Sequence, residues 1–144
     1  MELISKCWTR FFQDVFEAIS NFPIDDKLCN LVVDGMAIRK QIVWDSKADK
    51  FIGYCDFGKC LNLNDDKIPA SDALVFMLCS IKSKWKWPIG YIFYNKIDST
   101  ALAELLRSAL CLSATAGVKV VSVTCDGTIV NFTAMNNLGC KLFV

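Results

Sequence analysis

Leu28-Cys29-Asn30-Leu31-Val32-Val33-Asp34-Gly35 and Val118-Lys119-Val120-Val121-Ser122-Val123-Thr124-Cys125-Asp126-Gly127 are the stretches whose reading decides the fold. Each is a short apolar run rich in β-branched residues, the pattern of a buried strand. Each delivers an Asp-Gly pair at its carboxyl end. Upstream of the second run, Asp98-Ser99-Thr100 forms a helix-capping cluster. Leu102, Leu105, Leu106, Ala109, Leu110 and Ser113 then recur at helical spacing, and Gly117 stands where such a helix ends. A helix between two strands is the signature of a parallel crossover. Parallel neighbours would lie about 4.8 Å apart. Asp34 and Asp126 would then project from one end of the sheet, where ligands of open α/β sheets bind.

Outward from these runs, residues 2–21 carry Ile4, Trp8, Phe11, Phe12, Val15, Phe16 and Ile19 at helical spacing, stopped by Pro23. This predicts an N-terminal amphipathic helix, within residues 1–22, packing on a domain spanning 27–144. Residues 41–44 and 51–55 predict a hairpin with a polar tip, and residues 57–69 a loop. Residues 73–81 and 85–94 predict two further strands. Pro88 cannot donate to a ladder and marks an edge or bulge in the second of them. A short polar helix is expected over residues 130–138. Hairpins followed by a crossover make a mixed α/β sheet.

The 144 residues have the length of one domain, and at 53% hydrophobic with 12% aromatic the chain can bury a sizeable core. A net charge of +1 predicts no strong non-specific attraction to nucleic acid. The chain has no histidine, which removes His-activated nucleophiles and the commonest zinc ligand. Its eight cysteines form no C-x-x-C pair. Several sit inside apolar runs, where cysteine behaves as a small hydrophobe, so free thiols are expected. The N-terminus lacks the pattern of a secretion signal, and no apolar run is long enough to span a bilayer. An intracellular reducing compartment, without a membrane partner, fits these features.

Two neighbouring carboxylates repel unless a cation neutralises them. Hard divalent ions such as Mg²⁺ or Mn²⁺ suit oxygen donors, and a paired site of that kind can run phosphoryl transfer. The plain alternative is that Asp-Gly is common turn punctuation. The stretch Thr124-Cys125-Asp126-Gly127-Thr128 also resembles the D-x-D-G-T signature of haloacid-dehalogenase-like phosphatases, but Thr124 replaces the nucleophilic acid. Lys82, Lys84 and Lys86 with Trp85 and Trp87 form a basic aromatic cluster that could meet DNA. Lysine at a hairpin tip also serves solubility and edge protection. Asp45, Asp49, Asp56, Asp65, Asp66 and Asp72 are expected in solvated loops and caps, and Asn131 beside the loop carrying Asp126.

A resemblance covers residues 10–142. Leu31-Val32-Val33-Asp34-Gly35-Met36-Ala37-Ile38-Arg39 resembles the first-acid block of P-element-type DNA transposases, which include THAP-domain relatives. Phe51-Ile52-Gly53-Tyr54, Ala73-Leu74-Val75-Phe76-Met77 and Trp85-Lys86-Trp87-Pro88-Ile89-Gly90-Tyr91 are similar to the blocks that follow, in order. Residues 118–127 resemble the second-acid block. The resemblance implies an RNase H-like fold and an Asp-Asp-Glu site in which Asp34 and Asp126 are the first two catalytic, metal-binding acids. It implies Mg²⁺ or Mn²⁺ as cofactor, transposon-end DNA as partner and the nucleus as location.

The family's third acid follows a GTP-binding insertion, and neither falls within this chain. The expectation is therefore an incomplete RNase H-like sheet, inactive alone, with an open edge at residues 118–124 that invites a homo-oligomer. A domesticated, non-catalytic DNA-binding or interaction protein is the alternative. It predicts that Asp34→Asn changes nothing.

Overall fold

A computed structural model describes residues 11–57 and 67–141. The first decisive run forms β1 (Leu28–Ala37), which continues four residues past the predicted end at Val33. Its alternation is that of a strand with one face in the core: Cys29, Leu31 and Val33 are buried, and Asn30 and Val32 half-buried. From Asp34 onward every residue of β1 is exposed.

The predicted hairpin is a small separate ribbon, β2 (Val43–Asp45) paired with β3 (Lys50–Ile52). Asp45 Oδ1 accepts from the Lys47 amide at its tip. Next come β4 (Asp72–Ser80) and β5 (Lys86–Tyr94), followed by β6 (Lys119–Thr124). The main sheet has the order β5-β4-β1-β6. β4 runs antiparallel to β1, from Cys29↔Ser80 at one end to Ala37↔Asp72 at the other. The β4–β5 register shifts so that Phe76 faces Gly90 while Met77 faces Pro88, which leaves Ile89 as a bulge. Pro88 therefore sits on an edge strand beside a bulge, where its missing N–H is tolerated.

β6 lies parallel to β1, from Leu28↔Lys119 to Val32↔Thr124, with a bulge opposite Cys29 and Asn30. The crossover between them is α2 (Ser99–Thr115). Asp98 caps it by accepting from the Ala101 amide at 2.7 Å, and Gly117 takes a positive φ of 79° just past its end. Leu102, Leu105, Leu106, Ala109 and Leu112 of α2 share one buried cluster with Leu31, Val33, Phe76, Leu78, Ile89 and Ile92 of the sheet. Each large side chain buried there contributes about 1.5–3 kcal/mol. α3 (Ile129–Asn137) follows β6, as expected, and packs against α2.

The predicted N-terminal helix is shorter than its spacing suggests. α1 (Gln13–Ser20) buries Phe16 and Ile19, but Phe11 and Phe12 are extended: Phe11 bridges Gly90, and the Phe12 amide donates to Ile89 O at 2.8 Å. Pairing with the β5 edge satisfies backbone groups that a helix start would leave open. Ile4 and Trp8 lie outside the described residues, as do Gly58, Asn62, Asn64, Asp65 and Asp66 of the predicted loop. Cys29, Cys55, Cys79, Cys111, Cys125 and Cys140 are not disulfide-bonded, and Cys7 and Cys60 lie outside the described residues. Among the described residues, no helix is long and apolar enough to cross a membrane.

Candidate active site

Asp34 lies inside β1, opposite Val75 of β4. Asp126 lies two residues past Thr124, the last paired residue of β6. Val32 pairs with Thr124 in the parallel ladder, and Asp34 and Asp126 each lie two residues further along their chains, Asp126 in the loop past the end of β6. The two strands are immediate neighbours, with none between them. Both acids are exposed. The two strands are also tied by side chains: Asn30 Nδ2 donates to Thr124 Oγ1 at 3.0 Å, and Ser122 Oγ donates to Asn30 Oδ1 at 2.9 Å.

Asp126 is held by the start of α3. Its Oδ1 accepts from the Thr128 amide at 3.2 Å. Asn131 Nδ2 donates to the Asp126 carbonyl at 3.1 Å and also to its carboxylate. Thr128 is in turn the N-cap of α3, accepting from the Asn131 amide at 3.4 Å. The loop after β6 is thus built around this acid, and Asn131 is the residue that orients it.

Two neighbours escaped the sequence reading. Asp72, expected on a solvated loop or cap, begins β4 and pairs with both Ala37 and Tyr94. Tyr94 ends β5 and reaches back across β4: a Cβ built on Gly35 would meet Tyr94 Oη at 2.8 Å. Burial pushes the Tyr94 hydroxyl pKa above its ordinary value, and the charges of Asp72, Asp126 and Asp34 add to the rise. Tyr94 therefore lies within the field of both predicted acids. Burial likewise raises the Cys125 thiol, with Asp126 adding to it. Gly35 was the available signal. A glycine inside a strand marks a bend or a close approach, and here it makes room for the tyrosine.

The basic cluster is elsewhere. Lys82, Lys84 and Trp85 lie on the β4–β5 connection, and Lys86 opens β5, beyond Ser80, which pairs with Cys29 at the opposite end of β1. Asp34 lies five residue steps along the strand from Cys29, about 17 Å. Lys82 pairs with Asp25 at 3.0 Å, and Lys84 and Lys86 are exposed. Trp85 stands edge-on to Phe22, 5.3 Å between ring centres, and leans on Trp87. That indole is occupied by packing, so the lysines alone present a charged surface there.

The donor set at the acid end fits a hard divalent cation. It consists of carboxylate oxygens on a paired strand and a braced loop, the hard donors such an ion takes. Among the described residues, no group of three or more His, Cys, Asp or Glu could hold a metal ion. Asp34 and Asp126 would therefore supply part of a ligand shell.

A mixed sheet with a parallel crossover, one acid inside β1 and one in the loop past β6, has the architecture of an RNase H-like α/β domain. A family model described as TNP-like, RNase H N-terminal domain, matches residues 7–139, and the chain belongs to that family. It is 33% identical over 101 residues to the DNA transposase THAP9 of Homo sapiens, a match covering 69% of this chain and 11% of that protein. Its fold is similar to a solved Drosophila P element transposase strand transfer complex, with a TM-score of 0.66 and 22% identity. That similarity covers 96% of this chain and 28% of the solved one.

Proposed function

We propose that this domain contributes two of the acidic ligands of a divalent-metal site that cuts and joins DNA phosphodiesters, as part of a DNA transposition reaction in the nucleus. The single observation that carries the reading is the parallel β1–β6 register, in which Asp34 and Asp126 each follow the Val32↔Thr124 pair by two residues. Asp34 would hold the cation from the rigid central strand, and Asp126 from the loop braced by Thr128 and Asn131. A bound Mg²⁺ or Mn²⁺ supplies activation of the attacking oxygen and stabilisation of the leaving one. The chain's own residues fix where that happens. Asn131 keeps the Asp126 carboxylate from swinging away, and the Asn30 bridge to Ser122 and Thr124 locks the two strands in register. Alone, the 144-residue chain should not cleave DNA, because a metal site works only when all its ligands are placed together.

The test is a chimera in which this chain replaces the matched segment of the human relative. Transposition should persist in the chimera. Asp34→Asn or Asp126→Asn should each reduce it by more than about a hundredfold, beyond the cost of losing an outer-shell partner. Full activity with Asp34→Asn would overturn the proposal. Mg²⁺-dependent cleavage by the isolated chain, abolished by Asp34→Ala, would overturn the claim that it is inactive alone.

A further inference from the structure

A cleft of about 560 Å³ opens on the α2 face of the sheet beside Asp126, between Gly35 and the start of α3. That volume lies within the range of small-ligand pockets. Its floor is apolar, formed by Val33, Leu74 and Leu102. Its walls are Tyr94 and Lys96 on one side and Thr128 and Asn131 on the other, with Asp72 and Asp126 at the rim. The Tyr94 hydroxyl lies against the backbone of Gly35, in the place a side chain at 35 would occupy. Gly35 has no positive φ, so its lack of a side chain serves space and not a turn. Among the described residues, that hydroxyl makes no hydrogen bond and Lys96 makes no ion pair. The cleft therefore offers an O–H donor and an ammonium above an apolar floor, next to a candidate site for phosphodiester chemistry.

We propose that this cleft receives one nucleotide unit of a DNA strand, adjoining the phosphodiester to be cut, with the Tyr94 hydroxyl and Lys96 as its phosphate contacts. The proposal deepens the DNA-cleavage reading and rests on it for the nature of the ligand. The apolar floor accepts the face of a sugar or an unstacked base, as single-strand sites commonly do. Asp72 and Asp126 would repel a bare phosphate, which confines the contact to the Tyr94–Lys96 side unless a cation lies between. Gly35 is needed because a Cβ there would displace the Tyr94 hydroxyl from its place in the cleft.

The test uses the whole chain, a single-stranded oligonucleotide of about ten nucleotides carrying 5-iodouracil, and Ca²⁺ in place of a reactive cation. After irradiation, the cross-linked peptide is mapped by mass spectrometry. The cross-link should fall on Tyr94. Tyr94→Phe, whose folding is checked by thermal melting, should weaken oligonucleotide binding about tenfold, the loss of a hydrogen bond to a charged group. Gly35→Ala should weaken it as well. A cross-link confined to the Lys82–Lys86 hairpin or to the β2–β3 ribbon would overturn the proposal. So would a mononucleotide that competes as well as the strand. Mn²⁺ binding measured in parallel separates the two readings. Binding of Mn²⁺ without a Tyr94 cross-link would sink the cleft alone, and a Tyr94 cross-link without Mn²⁺ binding would sink the metal site alone.

Discussion

The two ends of β1 are built for different purposes. At the amino end, Cys29, Leu31 and Val33 are buried beneath α2, and the neighbouring turns are closed by side chains. Ser80 Oγ donates to the Asp26 carbonyl, Ser83 Oγ donates to the Asp26 carboxylate, and Phe22 wedges between Trp85 and Trp87. At the carboxyl end the same strand runs on exposed through Asp34, Gly35, Met36 and Ala37, flanked by Tyr94, Asp72 and Asp126. One half of the strand stabilises the sheet. The other half spends four paired residues on presenting an acid to solvent, and a buried core position could not do that. On the proposed function, stability and chemistry are separable along one strand.

Truncation at the closed end should have the largest effect. Leu31→Ala, fully buried in the core, is expected to cost about 2–5 kcal/mol in urea unfolding. Asp34→Asn, three positions on, should change stability by no more than about 0.5 kcal/mol. Equal losses would erase the distinction between the two halves.

A pH titration sharpens it further. Burial, with Cys79 adding to it, pushes the Cys29 thiol from 9.0 up to about 11. Below the lower value both folded and unfolded chains carry the proton, so this group does not affect stability. As pH climbs from 9.0 to about 11 the unfolded chain ionises first, so stability falls across that window. Cys29→Ala should remove that component of the decline in chemical denaturation run at successive pH values. An unchanged slope would show that the amino end is less closed than its packing implies.

The smallest effect belongs to the hairpin beside it. Lys82 and Asp25 are mostly exposed, and Lys82→Ala should shift stability by less than about 1 kcal/mol. The same substitution should leave cation binding at the far end unaltered. A change in Mn²⁺ affinity would couple two ends that the structure sets apart.

Much of this was legible in the sequence. The apolar runs, the Asp98 cap and Gly117 predicted strand, helix, strand and their parallel arrangement, because periodicity and capping are local signals. Pro88 correctly marked an edge strand with a bulge. The length of β1 was not legible, since Asp-Gly reads as punctuation and only pairing with Leu74, Ala73 and Asp72 keeps residues 35–37 extended. Phe11 and Phe12 fit a helix by spacing, but the β5 edge claims their backbone. Tyr94 and Asp72 were missed because their role depends on register across three strands, which no window along the chain contains. Trp85 looked like a stacking platform until Phe22, distant in sequence, was seen against it.

The most direct test of the convergence of Asp34 and Asp126 is Mn²⁺ binding to the purified chain, followed by electron paramagnetic resonance, for the parent, Asp34→Asn, Asp126→Asn and the double variant. The account predicts that either single substitution removes the same bound ion, so the double variant loses nothing further. Independent, additive losses, or a parent that binds no more Mn²⁺ than the double variant, would contradict it.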